Sequence, residues 1–338
     1  MGVSIQKNVS LKDYNTFGVD VRAYRFAIVE DQGSLVQLLR NAESEPWILG
    51  GGSNMLLTKD VDKLVLKIQI TGIDIEEETP DSVLLRVGAG VVWHDLVLWA
   101  VERGYGGIEN LALIPGMVGA APIQNIGAYG VELKSVFHCL QAVELHTGGR
   151  AKIHLDVCQF GYRDSIFKNA EKGRYCITHV YLKLNKMPHH IHAGYGAIKT
   201  ILEQKSISDP GIKDICNAVI EIRSDKLPDP AVLGNSGSFF KNPVISKGLW
   251  KDLIAKRPDL VYYLLEDGTY KIPAGWLIEQ CGWKGKRIGN VGSYEKQALV
   301  IVNYGGASGQ EILNHAVRVQ DSVQEEFGIT LTQEVNVF

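Results

Sequence analysis

The sequence predicts an α+β protein built from more than one domain. Three observations carry this reading. The chain has 338 residues, enough for two or three domains at roughly 100–200 residues each. Its N-terminal third alternates short strand-like and helix-like segments. Its C-terminal end joins one long amphipathic helix to one alternating strand.

Taken in order, Arg25–Glu30 reads as a strand and Ser34–Glu43 as a helix with Leu35, Leu38 and Leu39 on one face. Trp47–Gly50 is a strand entering a glycine turn, and Val83–Val87 is another strand. Trp93–Arg103 is a helix whose Trp93, Leu96, Val97 and Ala100 fall on one buried stripe. A long irregular glycine-rich stretch runs from Gly104 to Gly130, and strands return near Val136–Leu145 and Tyr175–Leu184. Met187–Asp214 is polar and reads as an irregular insertion, and Lys226–Pro230 is a turn-rich boundary. Beyond it, Gly275–Cys281 reads as a short helix and Ala298–Asn303 as a buried strand. Ser308–Phe327 is a long helix with capping-box spacing at Ser308 and Glu311. Ile312, Leu313, Ala316, Val317, Gln320, Val323 and Phe327 form its largely apolar face. Ile329–Val337 alternates as a half-buried strand, with Glu334 on its polar side.

Composition narrows the function. The chain is 45% hydrophobic and 22% charged, which excludes a wholly disordered chain. Lys and Arg total 35 against 38 Asp and Glu, for a formal net charge of −3, so the basic footprint of a nucleic-acid binder is missing. Apolar runs fall well short of the ~20 residues of a membrane-spanning helix. Met1–Asn8 has no apolar core or cleavage pattern, so no signal peptide is expected. The five cysteines are scattered and contain no Cys-x-x-Cys, which points to buried inert thiols in a reducing cytoplasm and to no metal site. The 36 glycines are the outlier, and they concentrate attention on close backbone approaches.

Gly50-Gly-Gly-Ser-Asn54 follows a strand and fits either a diphosphate cradle or a tight turn; it is neither a P-loop nor a dinucleotide fingerprint. The run Asn110–Gly130 mixes small, apolar and carboxamide residues, and suits either a flat ring with a diphosphate or a Gly/Ala-rich crossover. Phe160-Gly-Tyr-Arg163 places one arginine among aromatics, beside Asp164. Gly234–Pro243 holds Ser238 in a glycine turn, but not in the Gly-x-Ser-x-Gly pattern of a hydrolase elbow. His189, His190 and His192 form a tract without acidic or cysteine neighbours at ligand spacing, and His94 at a helix start reads as packing or capping.

In order along the chain, these segments resemble one family. Asn15–Gly18, Gly50–Asn54, Ile114–Gly130, Phe160–Arg163, Gly237–Pro243, Ala274–Cys281 and Glu334-Val335 all match the UDP-N-acetylenolpyruvoylglucosamine reductases, flavoenzymes of peptidoglycan precursor synthesis. The resemblance extends from about Asn15 to Val337. It implies a vanillyl-alcohol-oxidase-type FAD-binding domain of two α+β subdomains, 1–70 and 71–222, with an inserted loop at about 187–214. A C-terminal α+β substrate-binding domain, 223–338, follows. It implies non-covalent FAD, with NADPH as hydride donor.

By the same resemblance, Gly50, Gly51, Gly52, Ser53 and Asn54 bind the cofactor together with Ile114, Pro115, Gly116, Gly119, Ala120, Ile123, Asn125, Gly127, Ala128 and Tyr129. Arg163 steadies the charge that hydride addition pushes onto the substrate carboxylate, Glu334 is its partner, and Ser238 takes the proton-donor position. Glu334 is expected to act protonated or through a shared proton. Tyr195, Arg223, Lys226, Asn242, Tyr263, Lys271 and Gln297 are the expected contacts to the UDP-sugar, with Leu264 standing where relatives commonly carry a proline. A cytoplasmic monomer without nucleic-acid or membrane partners is expected. The competing readings are another flavin oxidoreductase of the same fold and a non-catalytic flavin- or nucleotide-binding protein.

Overall fold

A parallel ladder organises the N-terminal region. Val61–Ile68 pairs in parallel with Arg22–Val29 on one side and Trp47–Leu49 on the other, and Gln6–Ser10 forms the outer edge. The helix Gln32–Arg40 carries the chain from Arg22–Val29 across to Trp47–Leu49, the two strands that flank Val61–Ile68, its first turn capped by the Asp31 carboxylate accepting from the Ser34 N–H at 2.8 Å. Leu64 to Ile68 is buried without a break, as expected of a strand with parallel neighbours on both sides.

The computed structural model describes residues 4–338, so the first three residues of the segment read for a leader lie outside it. The chain separates into two compact units. The first holds Ala23–Gly51 and Val61–Ser224 with the described N-terminal residues through Val9, and the second holds Ser10–Arg22, Gly52–Asp60 and Asp225–Phe338. No helix of the described residues is long and apolar enough to cross a membrane.

The first unit adds a five-stranded antiparallel sheet in the order Arg150–His154, Phe137–Glu144, Tyr175–Asn185, Ser82–Gly88, Ile73–Glu78. One of its apolar layers packs on Trp93–Glu102, whose Trp93, Leu96, Val97 and Ala100 are buried as their spacing predicts. The expected irregular insertion at Met187–Asp214 is corrected here. It contains the helix Gly196–Gln204, and a second helix, Ile212–Lys226, begins within it. The first buries only Ile198 and Leu202, too sparse a stripe to read from sequence. The second buries Ile215, Cys216, Val219 and Ile222, a helical spacing hidden by its polar flanks.

The second unit has a four-stranded sheet, Gly234–Ser238, Val300–Asn303, Val291–Ser293 and Arg287–Ile288, and a small sheet of Val244–Ile245, Tyr270–Lys271 and Tyr263–Leu264. The helix Gly309–Phe327 forms the expected capping box, Ser308 Oγ accepting from the Glu311 N–H and the Glu311 carboxylate from the Ser308 N–H. Its buried face is rotated from the expectation. His315 and Val319 are inside while Val317 is 42% exposed and Leu313 only half-buried. Ser308→Ala should cost about 1 kcal/mol, read as a lower denaturation midpoint with an unchanged slope.

The terminal strand also needs correction. Burial does alternate at Ile329, Leu331 and Val335, but regular pairing is confined to Asn336–Val337, which lies parallel to Met55–Leu56. Upstream, the chain meets Phe239–Lys241 through single bonds rather than a ladder: Lys241 N–H to Thr332 C=O and Glu334 N–H to Phe239 C=O.

Four of the five cysteines are buried and all are free. Burial pushes Cys158 and Cys176 up to about 12 and Cys216 to about 11, so these thiols stay protonated, as expected of inert core residues.

Candidate active site

The first glycine loop is built on a buried lysine. Lys67 lies in the central parallel strand, 6% exposed, and its ammonium donates to the Gly50 carbonyl. Burial lowers its proton affinity. In a trans peptide the C=O and the next N–H point opposite ways, so fixing the Gly50 carbonyl turns the Gly51 N–H to the other side. The strand Val61–Ile68 is not among those read from sequence, and Lys67 is passed over with it.

Gly51 faces the second loop at backbone distance. A Cβ on Gly51 would stand 3.1 Å from Gly116 Cα and 3.5 Å from Met117 Cγ. Gly52 has φ +65°, and a Cβ there would fall onto the Tyr14 carbonyl. Glycine is required at both positions by close backbone packing, Gly51 being half-buried and Gly52 buried. Asn54 belongs to the second unit, where its carbonyl accepts from the Asn336 N–H at 3.3 Å and from Asn336 Nδ2 at 2.9 Å.

The second loop is locked onto the segment 89–94 that starts the Trp93–Glu102 helix. Gly119 and Val118 N–H groups donate to Ala89 and Val91, and the Trp93 N–H donates to Gly116 C=O at 3.0 Å. The Trp93 indole donates to Leu111 C=O, also at 3.0 Å. Leu113, Gly116, Asn125 and Tyr129 all have positive φ, so the chain turns sharply at four points along this loop. Asn125 is fully buried and its side chain is engaged within the protein: it donates to Glu132 and to Gly161 C=O and accepts from the Lys134 N–H. It shapes the loop. A flat ring with a diphosphate fits this combination of bare backbone, closely set glycines and an underlying cation.

Arg163 is tied to the same loop. It is half-buried with φ +53°, its guanidinium donates to the Gly127 carbonyl, and it lies 5.4 Å from the Tyr162 ring. Ser165 Oγ donates to Ile123 C=O at 2.6 Å, so the arch carrying Arg163 is held to the loop on both sides. Nearby, Arg223 from the Ile212–Lys226 helix hydrogen-bonds Tyr129 and donates from Nε to Leu113 C=O at 3.2 Å. Burial and the charge of Arg163 both weaken its hold on its proton, and Tyr129 opposes them. Tyr195, the residue before the Gly196–Gln204 helix, sets its ring edge-on to Tyr129 at 5.2 Å. Burial is the main cause that raises the Tyr129 hydroxyl above its ordinary value. Two guanidiniums and two phenols therefore share one part of the first unit, a donor set suited to an anionic ligand.

In the second unit, Ser238 and Glu334 are neighbours through the backbone. Asn235 pairs with Val302 and Ser238 with Val300, which leaves one extra residue, a β-bulge, with Gly237 at φ +66°. Without it, Ser236 and Ser238 would share a face. With it, Ser236 is buried at 6% exposure while Ser238 is half-buried. Asn235 fixes the bulge by accepting from the Gly237 N–H at 2.9 Å. The Glu334 N–H donates to Phe239 C=O at 2.8 Å, one residue beyond Ser238.

The remaining candidates fall in three places. Tyr263 and Lys271 are cross-strand partners, with the ammonium 5.9 Å from the ring. Asn242 Oδ1 accepts from the Ala274 N–H at the start of the Ala274–Gln280 helix, and a Cβ on Gly275 of that helix would lie 3.0 Å from Gln297 Oε1. Lys226 is exposed at the end of its helix.

Comparison with known proteins adds an independent line. Residues 25–154 match a family model described as an FAD binding domain. Residues 229–338 match one described as the C-terminal domain of UDP-N-acetylenolpyruvoylglucosamine reductase. The reductase of that name from Flavobacterium johnsoniae is 49% identical over 336 residues, covering 99% of this chain and 100% of the relative. The one from Pseudomonas aeruginosa is 46% identical over 341 residues, with 100% of both chains covered. The crystal structure of the Thermus caldophilus reductase superposes with a TM-score of 0.70 at 26% identity, over 99% of each chain.

Proposed function

The chain belongs to the UDP-N-acetylenolpyruvoylglucosamine reductase family, and from that premise we propose how its residues divide the reaction. The fold is a vanillyl-alcohol-oxidase-type FAD-binding domain followed by a C-terminal α+β domain. The reaction reduces the enolpyruvyl ether of UDP-N-acetylglucosamine enolpyruvate to UDP-N-acetylmuramate, a step in peptidoglycan precursor synthesis. Bound FAD supplies the hydride chemistry, with NADPH as donor. Residues 1–70 and 71–222 serve as the FAD-binding subdomains and 223–338 as the substrate-binding domain.

Gly50–Asn54 and the Ile114–Tyr129 loop hold the cofactor in this reading, their N–H groups and glycine surfaces taking the diphosphate and ring. Arg163 engages the substrate carboxylate with its planar fork as negative charge accumulates there. Glu334, in a protonated or proton-sharing state, bonds the same group without repelling it. Ser238 delivers the proton to the carbon next to the carboxylate; that carbon becomes strongly basic, so the placement of the hydroxyl matters more than its acidity. Tyr195, Arg223, Lys226, Asn242, Tyr263, Lys271 and Gln297 orient the UDP-sugar. The protein works as a cytoplasmic monomer.

The observation that carries the assignment is the bulge that frees Ser238 from the buried face, one peptide from the bond to Glu334. The cofactor arm has its own test. The purified protein should be yellow and release intact FAD on denaturation. Gly51→Val should weaken FAD binding at least ~10-fold, about 1.4 kcal/mol, because the new side chain must displace Gly116. A colourless preparation that cannot be reconstituted with FAD contradicts the reading.

A further inference from the structure

Leu113 is a non-glycine residue held at φ +57°, immediately before the Ile114-Pro115-Gly116 turn of the second loop. That conformation is disfavoured for a branched side chain, so its surroundings must hold it. Two side chains do so, one on each side of the residue. The Leu113 N–H donates to His94 Nδ1 at 3.0 Å, and the Leu113 carbonyl accepts from Arg223 Nε at 3.2 Å. His94 lies in the first turn of Trp93–Glu102 and Arg223 in the last turn of Ile212–Lys226. Neither helix is adjacent to the other in sequence; the backbone of Leu113, its N–H on one side of Cα and its C=O on the other, connects the two side chains.

We propose that His94 is a positioning residue that, through the backbone of Leu113, sets both the path of the cofactor loop and the orientation of the substrate arginine Arg223. The proposal rests on the assignment of the Ile114–Tyr129 loop to FAD and of Arg223 to the UDP-sugar. It goes beyond that assignment, because His94 need touch neither ligand.

The tautomer follows from the geometry. Nδ1 accepts, so the ring is neutral with its proton on Nε2. Protonating Nδ1 would set two N–H groups against each other and release Leu113. The charged groups acting on the imidazole are Asp95 on its own helix, which favours the cation, and Arg223, which opposes it. Burial opposes it most, and the net effect holds His94 below its ordinary 6.5. The acceptor is therefore present at neutral pH and is lost only as the pH falls below that value.

Two variants separate the hydrogen bond from bulk packing. His94→Leu keeps the volume and removes the acceptor. His94→Asn places Oδ1 close to where Nδ1 stands and keeps it. FAD affinity is measured by titrating apoprotein with FAD and following flavin fluorescence, and KM and kcat are measured for the enolpyruvyl substrate. His94→Leu should weaken FAD binding at least ~10-fold and raise KM by a similar factor, with kcat changing ~3-fold or less. His94→Asn should recover most of both losses. The FAD affinity of the unaltered protein should fall at pH values below 6.5, and that of His94→Asn should stay level. Unchanged FAD affinity in His94→Leu overturns the proposal. So does equal damage in the Leu and Asn variants, which would make the site one of packing alone. Arg223→Gln is run in parallel: an unchanged KM there overturns the substrate role of Arg223 and the substrate arm of the proposal, while the FAD and pH measurements judge the cofactor arm separately.

Discussion

Ser238→Ala is expected to split the two half-reactions. NADPH should bleach the flavin at a near-normal rate, because that hydride transfer takes no proton from this residue. Reoxidation by the enolpyruvyl substrate should slow at least ~100-fold, the low end for a positioned acid–base group. Ser238→Cys should recover part of the loss, since a thiol also donates a proton. The structure sharpens the expectation through the bulge between Asn235 and Ser238. The turn is held by Asn235, which accepts from the Gly237 N–H and donates to Pro228 and Leu233 carbonyls. Removing the hydroxyl should therefore leave the strand and the flavin reduction intact. Stopped-flow measurement of both half-reactions decides the matter. Equal slowing of the two, or slowing of neither, takes Ser238 off the catalytic list.

Arg163→Lys is expected to keep the charge and lose most of the activity. Lysine is a point charge on a flexible stem and cannot present two parallel N–H groups to a carboxylate. In this fold it would also lose the anchor. The guanidinium donates to the Gly127 carbonyl while its residue sits at φ +53°, so side-chain and backbone placement reinforce each other. The loss should fall on the enolpyruvyl half-reaction by roughly 100-fold or more, comparable to removal of an oxyanion-stabilising donor. Flavin reduction by NADPH should suffer much less. Near-normal turnover would return Arg163 to a structural role in bracing the loop.

Much of this protein was legible in its sequence. The helix at Trp93–Glu102 and its buried stripe, the central strand at Tyr175–Asn185, and the capping box at Ser308 all follow from short-range rules. These are interactions between residues one to four positions apart, and their spacing is written in the chain. The same rules misplaced one face of the C-terminal helix. Val317 and Val319 are chemically identical, and only the packing around the helix leaves the first exposed and buries the second. They also missed the Gly196–Gln204 helix, whose two buried residues give too little periodicity to rise above its polar surroundings.

The candidate site divides in the same way. The motifs at Gly50–Asn54, Ile114–Gly130, Phe160–Arg163, Gly237–Pro243 and Glu334 could be read directly, because glycine, proline and arginine at fixed spacing restrict the backbone and the chemistry locally. Three features could not. Lys67 beneath Gly50, His94 on Leu113, and the pairing of Glu334 with the residue after Ser238 each join segments far apart in the chain. A hydrogen bond between distant residues depends on strand register and helix placement, which many weak contacts fix together and which no local pattern encodes. The sequence by itself determined the family and the loops, and it named the candidates for the reacting groups. The tertiary structure decided which way each group is turned, since one extra residue in a strand, or one peptide held at a positive φ, redirects a side chain without changing a letter of its motif.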